Sequence, residues 1–188
     1  MNTQSLRQQK ILARDALGNC QQHTNAQQLC IRIMRTRTFK KAKHIGVYFA
    51  QNGEISLAPL IRQAFKAGKA VYVPVILPKF RMRFARFCNK SRLSKNRYGI
   101  AEPAIKQFVP ISKLDLILCP LVAFDTKGRR IGMGGGFYDR ALAKIKHKKR
   151  TAIWGVAHEL QRSKAIAAAP WDISMQRVVT EQRIYSTI

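Results

Sequence analysis

His44-Ile-Gly-Val-Tyr-Phe-Ala50 and Ala70-Val-Tyr-Val-Pro-Val-Ile-Leu77 are the two runs whose pairing decides the fold. Each is a near-continuous series of aliphatic and aromatic residues, the pattern of a strand covered on both faces. Between them, Gln51-Asn-Gly-Glu54 is a turn signal. Leu57, Leu60, Ile61 and Phe65 then recur at helical spacing, with Ser56 placed to cap the start and Gly68 to close the end. Strand, helix ending in glycine, strand is a βαβ unit, which implies a parallel pair and a right-handed crossover.

The same alternation continues on either side. Upstream, Leu6–Leu17 and Ala26–Arg35 show helical spacing, with Leu29, Ile33 and Met34 on one stripe of the second. Arg7, Lys10 and Arg14 fall near one another on the first helix and read as a solvated face unless something anionic needs them. Downstream, Phe80–Phe87 alternates as a strand or hairpin arm with one basic face, and Asn89–Ala101 is polar and irregular enough to be a loop. Asp115–Phe124 is a third strand, kinked or ended near Pro120, and Asp125-Thr-Lys-Gly128 is a turn in which Asp125 is the turn former. A helix is predicted over Phe137–Ile145, a strand over Thr151–Ala157, a short helix over Leu160–Ala169 broken by Pro170, and a last short strand at Val178–Thr180. This order gives an α/β fold with an open, mostly parallel sheet flanked by helices. The length of 188 residues fits one domain over 1–188, with the N-terminal helices (1–40) packed on it. A chain of this size buries roughly 70% of its unfolded surface and needs no metal or disulfide staple.

Bulk properties exclude several classes. No run of about 18 apolar residues is present to cross a membrane, and the start, Met1–Arg7, lacks the apolar core of a secretory leader. Cys20, Cys30, Cys88 and Cys119 form no C-x-x-C pair and read as reduced residues of a cytoplasmic protein. The net charge of +26 is extreme, with cations concentrated at Arg35–Lys43, Lys79–Arg97 and Lys144–Arg150. Such patches can neutralise nucleic-acid phosphates, yet no helix-turn-helix, zinc-finger or RNP-type pattern accompanies them. A basic nucleic-acid-binding α/β protein is therefore the alternative reading, not the first.

Chemistry concentrates in Arg130-Ile-Gly-Met-Gly-Gly-Gly-Phe-Tyr-Asp-Arg140. An apolar strand feeding a glycine-rich turn into a helix presents backbone N–H groups to an anion, so this is a candidate phosphate or nucleotide loop. It is not a Walker A loop, because no Gly-Lys-Ser/Thr follows, nor a dinucleotide fingerprint, because Phe137 holds the third glycine position. His158-Glu159-Leu-Gln-Arg162 lacks a zincin's second histidine, and no G-x-S-x-G or conspicuous nucleophile is present. Asp139 serves as a dipole-complementing residue in a first helical turn. Beside a bound phosphate, it would instead need a divalent cation between the two charges, and magnesium held by one or two carboxylates plus phosphates is that case.

Leu121-Val-Ala-Phe-Asp125, Arg130–Arg140 and Pro170-Trp-Asp-Ile-Ser-Met-Gln-Arg-Val-Val-Thr-Glu181 together resemble the 5-formyltetrahydrofolate cyclo-ligase (methenyltetrahydrofolate synthetase) family, with looser similarity through Phe49–Glu54 and Gly68–Pro74. The resemblance implies a fold of the ribose-phosphate isomerase and CoA-transferase group. It also implies ATP- and magnesium-dependent closure of 5-formyltetrahydrofolate to 5,10-methenyltetrahydrofolate, with ADP and phosphate released. A small kinase or another ATP-dependent ligase would differ in substrate alone.

By that resemblance, Gly132, Met133, Gly134, Gly135 and Gly136 cradle ATP, with Arg7 and Lys10 of the first helix assisting and Phe137, Tyr138 and Asp139 lining the site. Phe49 and Glu54 would bind the reduced folate, together with Gly136, Phe137 and Tyr138. Tyr138, Asp139 and Arg140 are the catalytic candidates, and Asp139 and Asp172 the metal ligands. Two departures stand out: Met133 occupies a position where many relatives carry arginine, lysine or tyrosine, and Gln176 replaces a family aspartate. Reduced folate and ATP are the expected partners, and a monomer without membrane or nucleic-acid attachment is expected.

Overall fold

A computed structural model describes residues 2–145, 150–167 and 173–187. The chain runs α1 (Thr3–Asp15), α2 (Asn19–Met34), α3 (Arg37–Lys41), β1 (His44–Gly46), α4 (Ala58–Lys66), β2 (Ala70–Leu77) and β3 (Arg81–Phe87). It continues through β4 (Leu93–Lys95), β5 (Ala101–Pro103), β6 (Phe108–Val109), β7 (Leu116–Pro120), β8 (Ala123–Phe124) and β9 (Arg130–Ile131). The last elements are α5 (Phe137–Ala143), β10 (Ala152–Val156), β11 (Arg177–Val179) and β12 (Ile184–Ser186).

The principal sheet has eight strands in the order β12-β11-β10-β7-β1-β2-β3-β6. The contiguous strands β11, β10, β7, β1 and β2 pair in parallel, and the antiparallel strands lie toward the two edges. The βαβ reading holds: His44, Ile45 and Gly46 pair in parallel with Ala70, Val71 and Tyr72. Helix α4 closes as Gly68 implied, with φ of +67° at that glycine, Gly68 N–H on the Phe65 carbonyl and Lys69 N–H on Ala64. This double bond satisfies the last helical carbonyls.

Alternation along each central strand divides the core into two layers. Leu116 and Leu118 of β7 join Val71 and Val73 of β2 beneath α2, α3 and α4, where Leu29, Ile33, Phe39 and Leu60 meet them. Ile117 and Cys119 face the other way with Tyr72, toward Ala141, Leu142 and Ile145 around α5. Successive side chains thus leave a strand on opposite faces and both faces are dry, which is why these strands read as continuous apolar runs.

Three local expectations need correction. Asn89–Ala101 contains one arm of an antiparallel hairpin, β4 on β5, rather than a plain loop. Its polar residues build the turn: Asn96 Oδ1 accepts from the Tyr98 and Ile100 N–H groups, and Asn96 Nδ2 donates to Glu102. The helix expected from Leu160 is only a 3-10 turn at Glu159–Gln161, followed by irregular chain through Ala167. Its backbone donors go elsewhere, Ser163 N–H to the Phe124 carbonyl and Ile166 N–H to Asp125 Oδ2. The final strand is followed by a second, β12, paired antiparallel to β11. Asp125 is the expected turn former, accepting from the Lys127 and Arg129 N–H groups at 3.0 and 3.1 Å.

Candidate active site

Strand order dictates where a ligand can enter. From β1 the chain crosses to β2 on one side, and the later β7 takes the place on the other. The crevice beyond the carboxyl ends of β1 and β7 is therefore a topological switch point, where open α/β sheets bind ligands. A cavity of about 990 Å³ lies there, and its wall includes Tyr48 and Phe49 after β1 and Pro120, Leu121 and Val122 at the end of β7.

Segment 132–136 forms one wall of this cavity. Gly136 is the residue before α5 and has φ of +61°, a left-handed conformation, and an added Cβ would lie 2.8 Å from Arg140 Nη1. Helix α1 lies against this segment: Arg7 Nε donates to the Gly132 carbonyl at 2.9 Å, and Leu6 and Ile11 pack on Val122, Ala123, Ile131 and Ile166. Arg7 lines the cavity. Lys10 does not: its ammonium donates to the Leu160 and Arg162 carbonyls at 2.6 and 2.8 Å. Lys10 therefore ties α1 to the 3-10 turn.

The residue that sequence reasoning left on a solvated face is Arg14. Its side chain lines the cavity although the residue is only 1% exposed. Nη1 reaches the Leu121 carbonyl at 3.5 Å, Nη2 lies 3.9 Å from the Met133 thioether, and buried Nε has no partner among the described residues. A guanidinium carries five N–H donors and a thioether is a weak acceptor. A cation so underpaired is costly in a folded chain by itself, and it is the kind of group a bound anion would complete. The helical spacing of Arg7 and Arg14 was the available signal, but nothing in the sequence says that α1 lies on the glycine segment.

Glu54 lines the same cavity, close enough to this cation to feel its charge. The turn at Asn52 and Gly53, with φ of +45° and +70°, brings it in, and a side chain on Gly53 would strike Asp15 and the Arg14 backbone. Glu54 Oε2 accepts from the Gln51 N–H at 3.1 Å. Burial pushes its carboxyl upward, countered by that N–H and by Arg14. Buried His158 backs the turn, its Nε2 lying 3.2 Å from the Gly53 carbonyl and its Nδ1 2.9 Å from Asn25 Nδ2. The Nε2–H tautomer satisfies both contacts, and burial lowers the ring's pKa to about 4.

Tyr138, Asp139 and Phe137 follow on the first turn of α5, all lining the cavity. The Tyr138 hydroxyl is buried without a partner among the described residues, and burial holds its pKa well above that of a free tyrosine. It is therefore a proton-bearing donor, not a base. Asp139 Oδ1 is bonded by Arg130, whose other amino group bonds the Ile173 carbonyl. Arg140 also borders the cavity, donating to the Phe80 and Gly135 carbonyls while its guanidinium lies over the rings of Phe80 and Phe137. Tyr98 and Phe137 line the cavity with ring centroids 6.1 Å apart, and Phe80 lies at the same distance from Phe137. Phe49 meets Phe87 edge-on at 5.1 Å.

Asp172 lies outside the described residues. Gln176, in place of an acid, is occupied with the sheet, its Oε1 accepting from the Ile153 N–H at 3.0 Å. No three acidic, histidine or cysteine residues gather into a metal cage among the described residues. The Asp139 carboxylate still suits magnesium, which is commonly held by one or two carboxylates together with substrate phosphates. No helix among the described residues is long and apolar enough to span a membrane.

Comparison with known proteins accords with this fold. The profile of the 5-formyltetrahydrofolate cyclo-ligase family matches residues 1–181. The Escherichia coli 5-formyltetrahydrofolate cyclo-ligase is 38% identical over 176 residues, covering 92% of this chain and 96% of that one. The Haemophilus influenzae enzyme of the same name is 35% identical over 182 residues, with 93% and 97% coverage. Among solved structures, the Aquifex aeolicus 5,10-methenyltetrahydrofolate synthetase superposes with a TM-score of 0.87 at 27% identity, covering 100% of this chain and 93% of the other. A synthetase from Mycoplasma pneumoniae shares the fold at a TM-score of 0.79 and 19% identity, with 96% and 99% coverage. The chain belongs to the 5-formyltetrahydrofolate cyclo-ligase family, a family of ligases.

Proposed function

We propose that this chain uses ATP and magnesium to convert 5-formyltetrahydrofolate into 5,10-methenyltetrahydrofolate, releasing ADP and phosphate. The observation that carries the reading is one cavity lined by two chemically distinct sets of residues. The glycine segment, Arg7 and underpaired Arg14 suit an anion, and Phe49 and Glu54 suit a ring with polar edges. Its 990 Å³ is at the upper end of the range for ligand sites, which suits two substrates side by side.

The chemistry needs no protein nucleophile. The formyl oxygen attacks the terminal phosphorus of ATP, and ADP departs. The neighbouring folate amine then closes on the formyl carbon and loses its proton, and the phosphorylated oxygen leaves as phosphate. Arg7, Arg14 and the N–H groups of the glycine segment hold the phosphate charge, and Arg140 steadies the segment they belong to. Glu54 and Phe49 orient the pterin, and the Tyr138 hydroxyl donates toward developing negative charge. Arg130 sets the Asp139 carboxylate that would hold magnesium, which when bound offsets charge on the phosphate oxygens. Such catalysis is positioning and electrostatics.

The test mixes folded protein with 5-formyltetrahydrofolate and follows methenyltetrahydrofolate absorbance with and without Mg-ATP. Growth that requires both nucleotide and metal supports the proposal. No growth at any ATP concentration overturns it.

A further inference from the structure

The contact between Met133 and Arg14 has no role in the chemistry above, and it joins an oxidisable group to an unsatisfied one. Met133 is 54% exposed on the glycine segment, whereas Met82 and Met175 are 6% and 1% exposed; Met34, at the end of α2, is half-buried against the core. Its sulfur lies 3.9 Å from Nη2 of Arg14, a buried guanidinium whose only other partner among the described residues is a carbonyl at 3.5 Å. A thioether accepts hydrogen bonds weakly, but a sulfoxide oxygen on the same sulfur is a strong, uncharged acceptor beside an unsatisfied donor set.

We propose that Met133 is an oxidation site that governs anion binding in this cavity, through capture of Arg14 by methionine sulfoxide. The step is a two-electron oxidation by a peroxide: one peroxide oxygen bonds to the Met133 sulfur, the O–O bond breaks, and the other oxygen leaves as water. The sulfoxide then occupies donors that a phosphate would otherwise use, and its bulk and dipole sit on the segment that frames the anion. Reduction by two thiols, catalysed by a methionine sulfoxide reductase, returns the thioether, with a disulfide and water as products. The proposal rests on the nucleotide reading given above. It goes beyond that reading in making the loop's affinity depend on redox state.

The experiment treats the full-length protein with graded hydrogen peroxide, maps methionine oxidation by peptide mass spectrometry, and measures Mg-ATP affinity by calorimetry on the same samples. Met133 should oxidise ahead of Met82 and Met175. ATP affinity should fall on the order of tenfold, as expected for a lost charge-assisted contact, and reductase treatment should restore it. Met133→Leu, compared with its own untreated sample, should keep its affinity through the same peroxide dose. Equal losses in Met133→Leu and wild type, or full Met133 oxidation with unchanged affinity, would overturn the proposal while leaving the nucleotide site standing. Protein that binds no ATP before oxidation would overturn the nucleotide reading and this consequence with it.

Discussion

Replacing Arg14 with methionine should make the protein more stable and less able to bind nucleotide. The arginine is 1% exposed, its Nε has no partner among the described residues, and its two amino groups meet a carbonyl at 3.5 Å and a sulfur at 3.9 Å. Replacing poorly compensated buried charge with an apolar side chain of similar length is commonly stabilising, here by roughly 1–3 kcal/mol. In a chain of this size each kcal/mol moves Tm by about 2–4 °C, so Arg14→Met should melt several degrees higher without ligand. Part of the gain is offset because Arg14 holds the Glu54 carboxyl down; without it, that carboxyl should titrate still higher. In the opposite direction, a phosphate that completes the guanidinium gains charge-assisted bonds of about 1.5–3 kcal/mol each, so affinity for Mg-ATP should drop about 10- to 150-fold. Thermal unfolding with and without Mg-ATP reads both effects, because saturating ligand stabilises only the state it binds. Loss of more than about 1 kcal/mol of stability, with ATP binding intact, would refute the reasoning: Arg14 would then be an adequately paired structural residue.

Four further outcomes follow from particular contacts. Asp139→Asn should lower turnover and weaken the dependence on magnesium; unchanged metal dependence would leave Asp139 as a partner of Arg130 alone. Glu54→Gln should raise the KM for the folate more than that for ATP, and the reverse order would remove Glu54 from the folate-binding residues. Gly136→Ala should cost about 1–2 kcal/mol in denaturant melts, because φ of +61° disfavours a Cβ and Arg140 must move; a neutral effect would mean that the segment relaxes freely. His158, with its pKa lowered to about 4, stays neutral when folded while the unfolded chain takes up a proton near pH 6.5. Its contribution is therefore full above about pH 6.5 and is lost as pH falls toward 4, by up to about 3 kcal/mol. Glu54, raised by burial, acts with the opposite sign, so the comparison is between wild type and His158→Gln; equal pH slopes would contradict the assignment.

The sheet was legible because its central strands are dry on both faces: β2 is recognised residue for residue at Ala70–Leu77 and β7 ends at Pro120 as read. The hairpin of β4 and β5 was hidden because its strands expose polar residues and its turn is built by Asn96, so composition alone resembled a loop. The region after Gln161 misled for the converse reason. Its small apolar residues suit a helix, but tertiary bonds from Phe124 and Asp125 take the backbone donors a helix would need. At the site, the glycine segment, Asp139 and Glu54 were recognisable by residue type and resemblance. Arg14 and Arg130 were not, because their roles depend on burial and on which segments α1 and α5 abut.

The most direct test of the central claim follows the formyl oxygen itself. With 5-formyltetrahydrofolate labelled with heavy oxygen at the formyl group, and Mg-ATP in ordinary water, the label should appear in the released inorganic phosphate as methenyltetrahydrofolate forms. Methenyltetrahydrofolate formed with ATP consumption but with the label recovered in water would contradict phosphorylation of that oxygen in this cavity.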